Sequence, residues 1–254
     1  MKRFLTAHEL PSDAIILDAR TEAQFSSSHL SDARHAEFVL PKFVIREQAG
    51  LEEFQNTLQT WVRGIGLNNG DQVVVYDSGV DSRAARTAWA LEYAGFKVGI
   101  LNGGFQIWQA AGLSVSSETP SVEGSNFLLE PQPEILATAD EVLNRSEDTV
   151  VLDARDAHEF AGIKIPAGAT RGGHIPGAKH FEWTRVMNSG GFQTDSDLWE
   201  SLAEIPRDAQ VIVHCQSGAR SAVLFHALKS QGFKVKNYLG SMNEWLNQTD
   251  LPVE

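Results

Sequence analysis

The chain has 254 residues, 42% apolar and 21% charged, which supports one large or two ordinary globular domains and excludes a disordered chain. Its formal net charge is −12 with no dense Lys/Arg run, which argues against nucleic acid and anionic membrane surfaces as partners. A small anion is still admissible where a few arginines face one cleft, because local field outweighs total charge.

Along the chain, MKRFL offers two basic residues but no apolar h-region and no small-residue cleavage site. This predicts no secretory signal and a cytoplasmic location. No stretch approaches the roughly 18 apolar residues of a membrane span. The first strand signal is AIILDA (14–19), followed by a polar, helix-compatible turn and HLSDARHAEF (29–38). VVVYD (73–77) predicts a central strand, then a helical segment and a short strand at GFKV (95–98). SSETPSVEGSNFLLEPQPE (116–134), rich in Ser, Glu and Pro, predicts an extended linker. The pattern then starts again with TVVLDA (149–154), GIKIPAGATR (162–171), HIPGAKHFEW (174–183) and VIVHC (211–215). A helix is expected over Ala219–Ser230, with Val223, Leu224, Ala227 and Leu228 on one packed face, before a second GFKV (232–235).

The two halves are copies of one pattern. LDAR recurs from Leu17 to Leu152, and GFKV from Gly95 to Gly232. His29, Ala33, His35 and Glu37 match His174, Ala178, His180 and Glu182, with about ten extra residues before the second set, for which 162–171 is the natural candidate. Short β-branched runs alternating with helices predict parallel strands joined by crossover helices. The architecture expected is α/β, two tandem domains, each a parallel sheet flanked by helices, over 1–115 and 135–254 with a linker at 116–134. Two copies can bury a shared face within one chain, so a monomer is expected. Because His29 and His35 repeat in the cysteine-free copy, His174 and His180 are expected to be structural.

Cys215 is the single cysteine, which rules out an intrachain disulfide and CxxC metal motifs. It follows a buried strand and opens the loop Gln216-Ser217-Gly218-Ala219-Arg220, which runs into a helix. The C-terminal end of a parallel strand faces the crevice where α/β folds bind ligands. Loop amides, a helix N-terminus and the Arg220 charge all favour thiolate, the nucleophilic form, which such surroundings can bring from about 8.5 to roughly 3.5–7.5. Gly218 is expected at positive φ, and Ser217 either donates to a substrate oxygen or makes a local turn bond. The first copy carries Asp77 at the position of Cys215.

RGGHIPGA (171–178), DAR (153–155), CQSGARS (215–221) and GSMNEW (240–245) together resemble the rhodanese superfamily, specifically its two-domain sulfurtransferases. The resemblance implies two rhodanese-like domains, the first inactive and closing one side of the cleft. It implies a Cys215 persulfide, formed from a donor such as thiosulfate and emptied by cyanide or a thiol, with no metal or organic cofactor. Arg155, Arg220, Gln216, Ser217, Gly218 and Ala219 are then the expected substrate-binding residues. The chain departs from the family pattern at Glu159, where donor-gripping members carry a second arginine, and at Met242, where a Trp is usual. An unpaired Glu159 would repel a dianionic donor unless it turns away or pairs with Arg220 or Arg155. A 3-mercaptopyruvate sulfurtransferase is the alternative, although neither CQSGAR nor AEFVLPKF (36–43) follows that branch's pattern. A phosphatase or arsenate reductase needs a longer Cys-x5-Arg loop than the Cys-x4-Arg present here, and a non-catalytic binding module leaves an intact Cys215 unexplained.

Overall fold

A computed structural model describes residues 1–39 and 44–254. Leu40, Pro41, Lys42 and Phe43, which end the AEFVLPKF stretch, lie outside the described residues, as does the side chain of Asp195. The chain forms two compact units, each interrupted in sequence. The first comprises 1–39, 55–132 and 187–193; the second comprises 44–54, 133–186 and 194–254.

In the first unit, strands β1 (Phe4–Leu5), β2 (Ile15–Asp18), β4 (Arg34–His35), β5 (Gln72–Tyr76) and β6 (Lys97–Leu101) form one parallel sheet in the order β1-β6-β5-β2-β4. Helices α1 (Glu22–Ser27), α3 (Arg83–Tyr93) and α4 (Gly104–Ala110) join these strands, and α2 (Gln48–Gly64) runs across the unit boundary. A small antiparallel ladder pairs β3 (His29–Leu30) with β7 (Val115–Ser116). The segment expected as a linker has no regular structure between β7 and a short helical turn at Pro133–Ile135, but it is fastened along the first unit. Phe127 is buried against Phe96 with ring centroids 5.1 Å apart, Arg63 donates to the Phe127 carbonyl, and the amide of Gln132 donates to Tyr93. One aromatic in a polar segment is enough to dock it.

The second unit repeats the design. Strands β8 (Leu136–Ala137), β9 (Thr149–Asp153), β10 (Lys179–His180), β13 (Gln210–His214) and β14 (Lys234–Tyr238) form a parallel sheet in the order β10-β9-β13-β14-β8. Read from the other edge this is the order of the first sheet, so the repeat in sequence is a repeat in topology. Helices α5 (Ala139–Leu143), α6 (Ala157–Phe160), α7 (Asp195–Ser201), α8 (Ala219–Ser230) and α9 (Ser241–Trp245) complete the unit. The hairpin of β11 (Met187–Asn188) and β12 (Gly191–Phe192) belongs to the first unit, where Asn102 exchanges two hydrogen bonds with Phe192. Helix α8 has the predicted bounds but is buried throughout Ser221–Leu228, not on one face, because it packs against both β13 and β14 and the turn at 183–186.

The DAR turns show what the repeated residues do. The Asp153 carboxylate takes bonds from the Arg155 amide, its Nε at 3.0 Å and its Nη2 at 2.6 Å; Arg155 Nη2 also donates to the Gly173 carbonyl. Asp18 and Arg20 make the same set, with Ser28 in place of Gly173. Burial raises the cost of the Asp153 charge, but His214 and Arg155 more than offset it, and the carboxyl is held below its usual range. His174 and His180 accompany this turn: one bonds the Phe160 carbonyl and stacks on its ring at 3.8 Å, the other bonds the Arg155 carbonyl. His29 and His35 do likewise with Phe25 and Arg20. The four histidines thus make matching backbone and ring contacts in the two copies.

Candidate active site

The site is built where β13 gives way to α8. Cys215 follows the last strand residue, and its amide donates to the hydroxyl of Ser241 at 3.2 Å. The carbonyls of Cys215 and Gln216 accept from the amides of Met242 and Asn243, and Gln216 Nε2 reaches Asn243 Oδ1 at 2.6 Å. The loop is thereby pinned to the start of α9, and trans peptide geometry turns the N–H groups of Gln216 and Ser217 away from that helix. Gly218 caps α8 with φ of 81°, and a Cβ there would come within 2.9 Å of Leu239 Cδ1. Both the conformation and the close approach demand glycine.

The cysteine-free copy shows what such a loop holds. There the carbonyls of Asp77 and Ser78 accept from Phe105 and Gln106, the same fastening one repeat earlier. The Asp77 carboxylate folds back into its own loop and accepts from the amide of Gly79 at 2.9 Å and of Ala84, inside α3, at 2.8 Å. A polar group attached at this strand end is therefore met by loop and helix amides. Burial pushes the Asp77 carboxyl up to about 7, and those two amides offset only part of the rise. The folded value lies above the ordinary 3.8, so ionisation costs the folded state stability above about pH 7, and the cost fades as pH falls towards 3.8. Lowering pH from about 8 to about 5 is expected to stabilise the parent relative to Asp77→Asn by about 2–3 kcal/mol. Denaturant unfolding of both proteins across that range checks this; a difference that does not vary with pH contradicts it.

Cys215 is 1% exposed, yet its surroundings are polar. Ser221 Oγ lies 3.6 Å from the sulfur, and the rim residues Gln216, Ser217, Ala219 and Arg220 are partly open to solvent. Arg220 is held by Glu159 in a bidentate pair, Nη1–Oε2 at 2.6 Å and Nη2–Oε1 at 3.0 Å. Burial works against the Arg220 charge, but the Glu159 bonds and the nearby negative form of Cys215 more than compensate and raise its pKa further. Glu159 is thus neither free nor turned away. It pairs with Arg220, one of the two partners expected for it, and tempers that arginine's charge.

Six of the seven expected residues, Cys215 to Arg220, come together. Arg155 does not. Its side chain is fully buried in the pair with Asp153, and Arg20 makes the same pair with Asp18 in the cysteine-free copy. His214, the last residue of β13, is buried and unsatisfied. Neither ring nitrogen has a hydrogen-bond partner among the described residues, and Nε2 stops 3.8 Å from Asp153, where Tyr76 in the first copy reaches Asp18 at 2.5 Å. Burial lowers the His214 pKa, and the Asp153 charge beside it offsets only part of that fall. Sequence reasoning missed three buried hydroxyl and amide groups around the sulfur: Ser221, Asn237 and Ser241. Among the described residues no group of three or more His, Cys, Asp or Glu could hold a metal ion, and no helix is long and apolar enough to cross a membrane.

Comparison with known proteins places this geometry. The family model of the rhodanese-like domain matches residues 5–111 and again 138–248. A thiosulfate sulfurtransferase of Azotobacter vinelandii is 34% identical over 260 aligned positions, covering 98% of this chain and 93% of that protein. A 3-mercaptopyruvate sulfurtransferase of Escherichia coli is 33% identical, covering 78% of this chain and 73% of that protein. The crystal structure of a probable thiosulfate sulfurtransferase superposes with a TM-score of 0.80 at 35% identity, over 96% of this chain and 99% of that one.

Proposed function

Because this chain belongs to the rhodanese family and carries its domain twice, we propose that it is a thiosulfate sulfurtransferase working through a persulfide on Cys215. The observation that carries the reading is the loop itself. Its twin receives an attached carboxyl group on main-chain amides, and in the second unit the residue at that place is a cysteine. The Cys215 thiolate attacks the outer sulfur of thiosulfate, the S–S bond to the sulfonate breaks, and sulfite leaves with the electron pair. The persulfide anion on Cys215 then meets cyanide or a thiol. The acceptor bonds the outer sulfur, and the electron pair returns to Sγ. Gln216, Ser217, Gly218 and Ala219 shape the cradle, and Arg220 supplies charge that Glu159 tempers. The donor is a small sulfur anion and the acceptor a thiophile; the chain acts as a cytoplasmic monomer without a cofactor.

Parallel assays on one preparation test this, with thiosulfate or 3-mercaptopyruvate as donor and cyanide or a small thiol as acceptor. An artificial phosphate ester serves as the control substrate. The reading expects ping-pong kinetics and fastest thiocyanate formation from thiosulfate. Faster turnover of 3-mercaptopyruvate would move the chain to that specificity, and ester hydrolysis without sulfur transfer would refute the reaction class.

A further inference from the structure

Ser221 lies in the first turn of α8, wholly buried, with its hydroxyl between two acceptors. One is the Cys215 sulfur at 3.6 Å; the other is Asn237 Oδ1 at 2.7 Å. A hydroxyl has one hydrogen and serves only one of them at a time. Asn237, buried on β14, also donates from Nδ2 to the Gly218 carbonyl at 3.2 Å, so one side chain both orients the hydroxyl and braces the loop. Strand registers place Lys97 and Lys234 opposite Gln72 and Gln210, which sets Ile100 of the first copy against Asn237. After the loop, Arg83-Ala84 stands where the second copy has Arg220-Ser221. Both polar members are therefore present in the copy with the cysteine and replaced by apolar residues in the copy without it. A polar pair needed only to hold the fold would be expected in both.

We propose that Ser221 is a catalytic residue of the sulfur-release step and that Asn237 positions it. While Sγ carries the outer sulfur, the Ser221 hydroxyl donates to Asn237. As the acceptor bonds the outer sulfur and the S–S electron pair passes to Sγ, the hydroxyl turns to donate to the forming thiolate. No proton is lost, and the hydrogen bond stabilises the leaving sulfur. The same bond damps Sγ as a nucleophile in loading, so its removal falls unequally on the two half-reactions.

This inference rests on the sulfurtransferase reading, and the test separates the two. Loading of the parent and of Ser221→Ala with thiosulfate is followed by intact mass, and release to cyanide by thiocyanate formation in single turnover. Release in Ser221→Ala is expected to slow by about ten- to a hundredfold, the worth of a hydrogen bond to a charged group, while loading changes much less and persulfide accumulates. Ser221→Thr, which keeps the hydroxyl, restores release. Should Ser221→Ala fail to fold, the double variant S221A/N237I carries the residues that the first copy has at these two places, Ala84 and Ile100. Unchanged release in a folded variant, or equal slowing of both steps, overturns the role of Ser221 alone. A parent chain that never gains sulfur overturns the sulfurtransferase reading and this inference with it.

Discussion

Cys215→Ser is expected to reduce thiocyanate formation by roughly four orders of magnitude or more, the scale seen when a covalent nucleophile is removed. Folded stability should change by only about 1 kcal/mol. The two effects separate because the residue does different things for fold and chemistry. For the fold, the essential bonds at this position are main-chain bonds: the Cys215 amide to Ser241 and its carbonyl to Met242, both independent of the side chain. A serine hydroxyl also fits beside Ser221, which can donate to it. For the chemistry, a serine hydroxyl is a weak nucleophile near neutral pH and its oxygen forms no persulfide. Circular dichroism, thermal unfolding and a thiocyanate assay on the same samples check both halves. Residual transfer near the parent rate would remove Cys215 from the mechanism.

Arg220→Ala is expected to slow transfer by about a hundredfold and, unlike a purely catalytic change, to cost stability as well. The Glu159 residue is 5% exposed and takes two short bonds from the guanidinium; without Arg220 its carboxylate keeps Lys164, at 4.0 Å, as a distant counter-charge. Breaking a buried pair from one side costs about 3–5 kcal/mol, and partial exposure of Arg220 brings this nearer 2–3 kcal/mol. The stranded carboxylate also opposes a negative sulfur close by. Removing both partners in R220A/E159A should recover most of the stability and little of the activity, because no buried charge is then left alone while the cation is still missing. Unfolding by denaturant and steady-state kinetics across the four-protein cycle test this. If the single variant is as stable as the parent, the pair does not hold the site together.

The parts of this protein that could be read from its sequence were those set by local chemistry. The strand runs, the bounds of α8, the positive φ at Gly218 and the loop opening at Cys215 each follow from short-range rules, and repetition supplied the architecture. Comparing copies pointed the four histidines to the fold, and each makes the contacts that its twin makes. The same comparison applied to Arg155 points to Arg20 and to structure, but a strand-end arginine beside a candidate anion site invites the other reading. Ser221 and Asn237 carried the opposite signal, polar in one copy and apolar in the other, within segments that otherwise read as buried helix and strand. What stayed out of reach depended on side chains distant in sequence. Glu159 and Arg220 are 61 residues apart, and only the folded chain decides that they face each other. Phe127, one aromatic among polar neighbours, docks a segment whose composition speaks for an unattached linker.

Mass spectrometry of the intact protein after brief incubation with thiosulfate and removal of small molecules puts the main claim at risk most directly. The account predicts a gain of one sulfur atom, mapped by peptide analysis to Cys215 and lost again when cyanide is added. An unchanged mass, or sulfur bound anywhere other than Cys215, would contradict it.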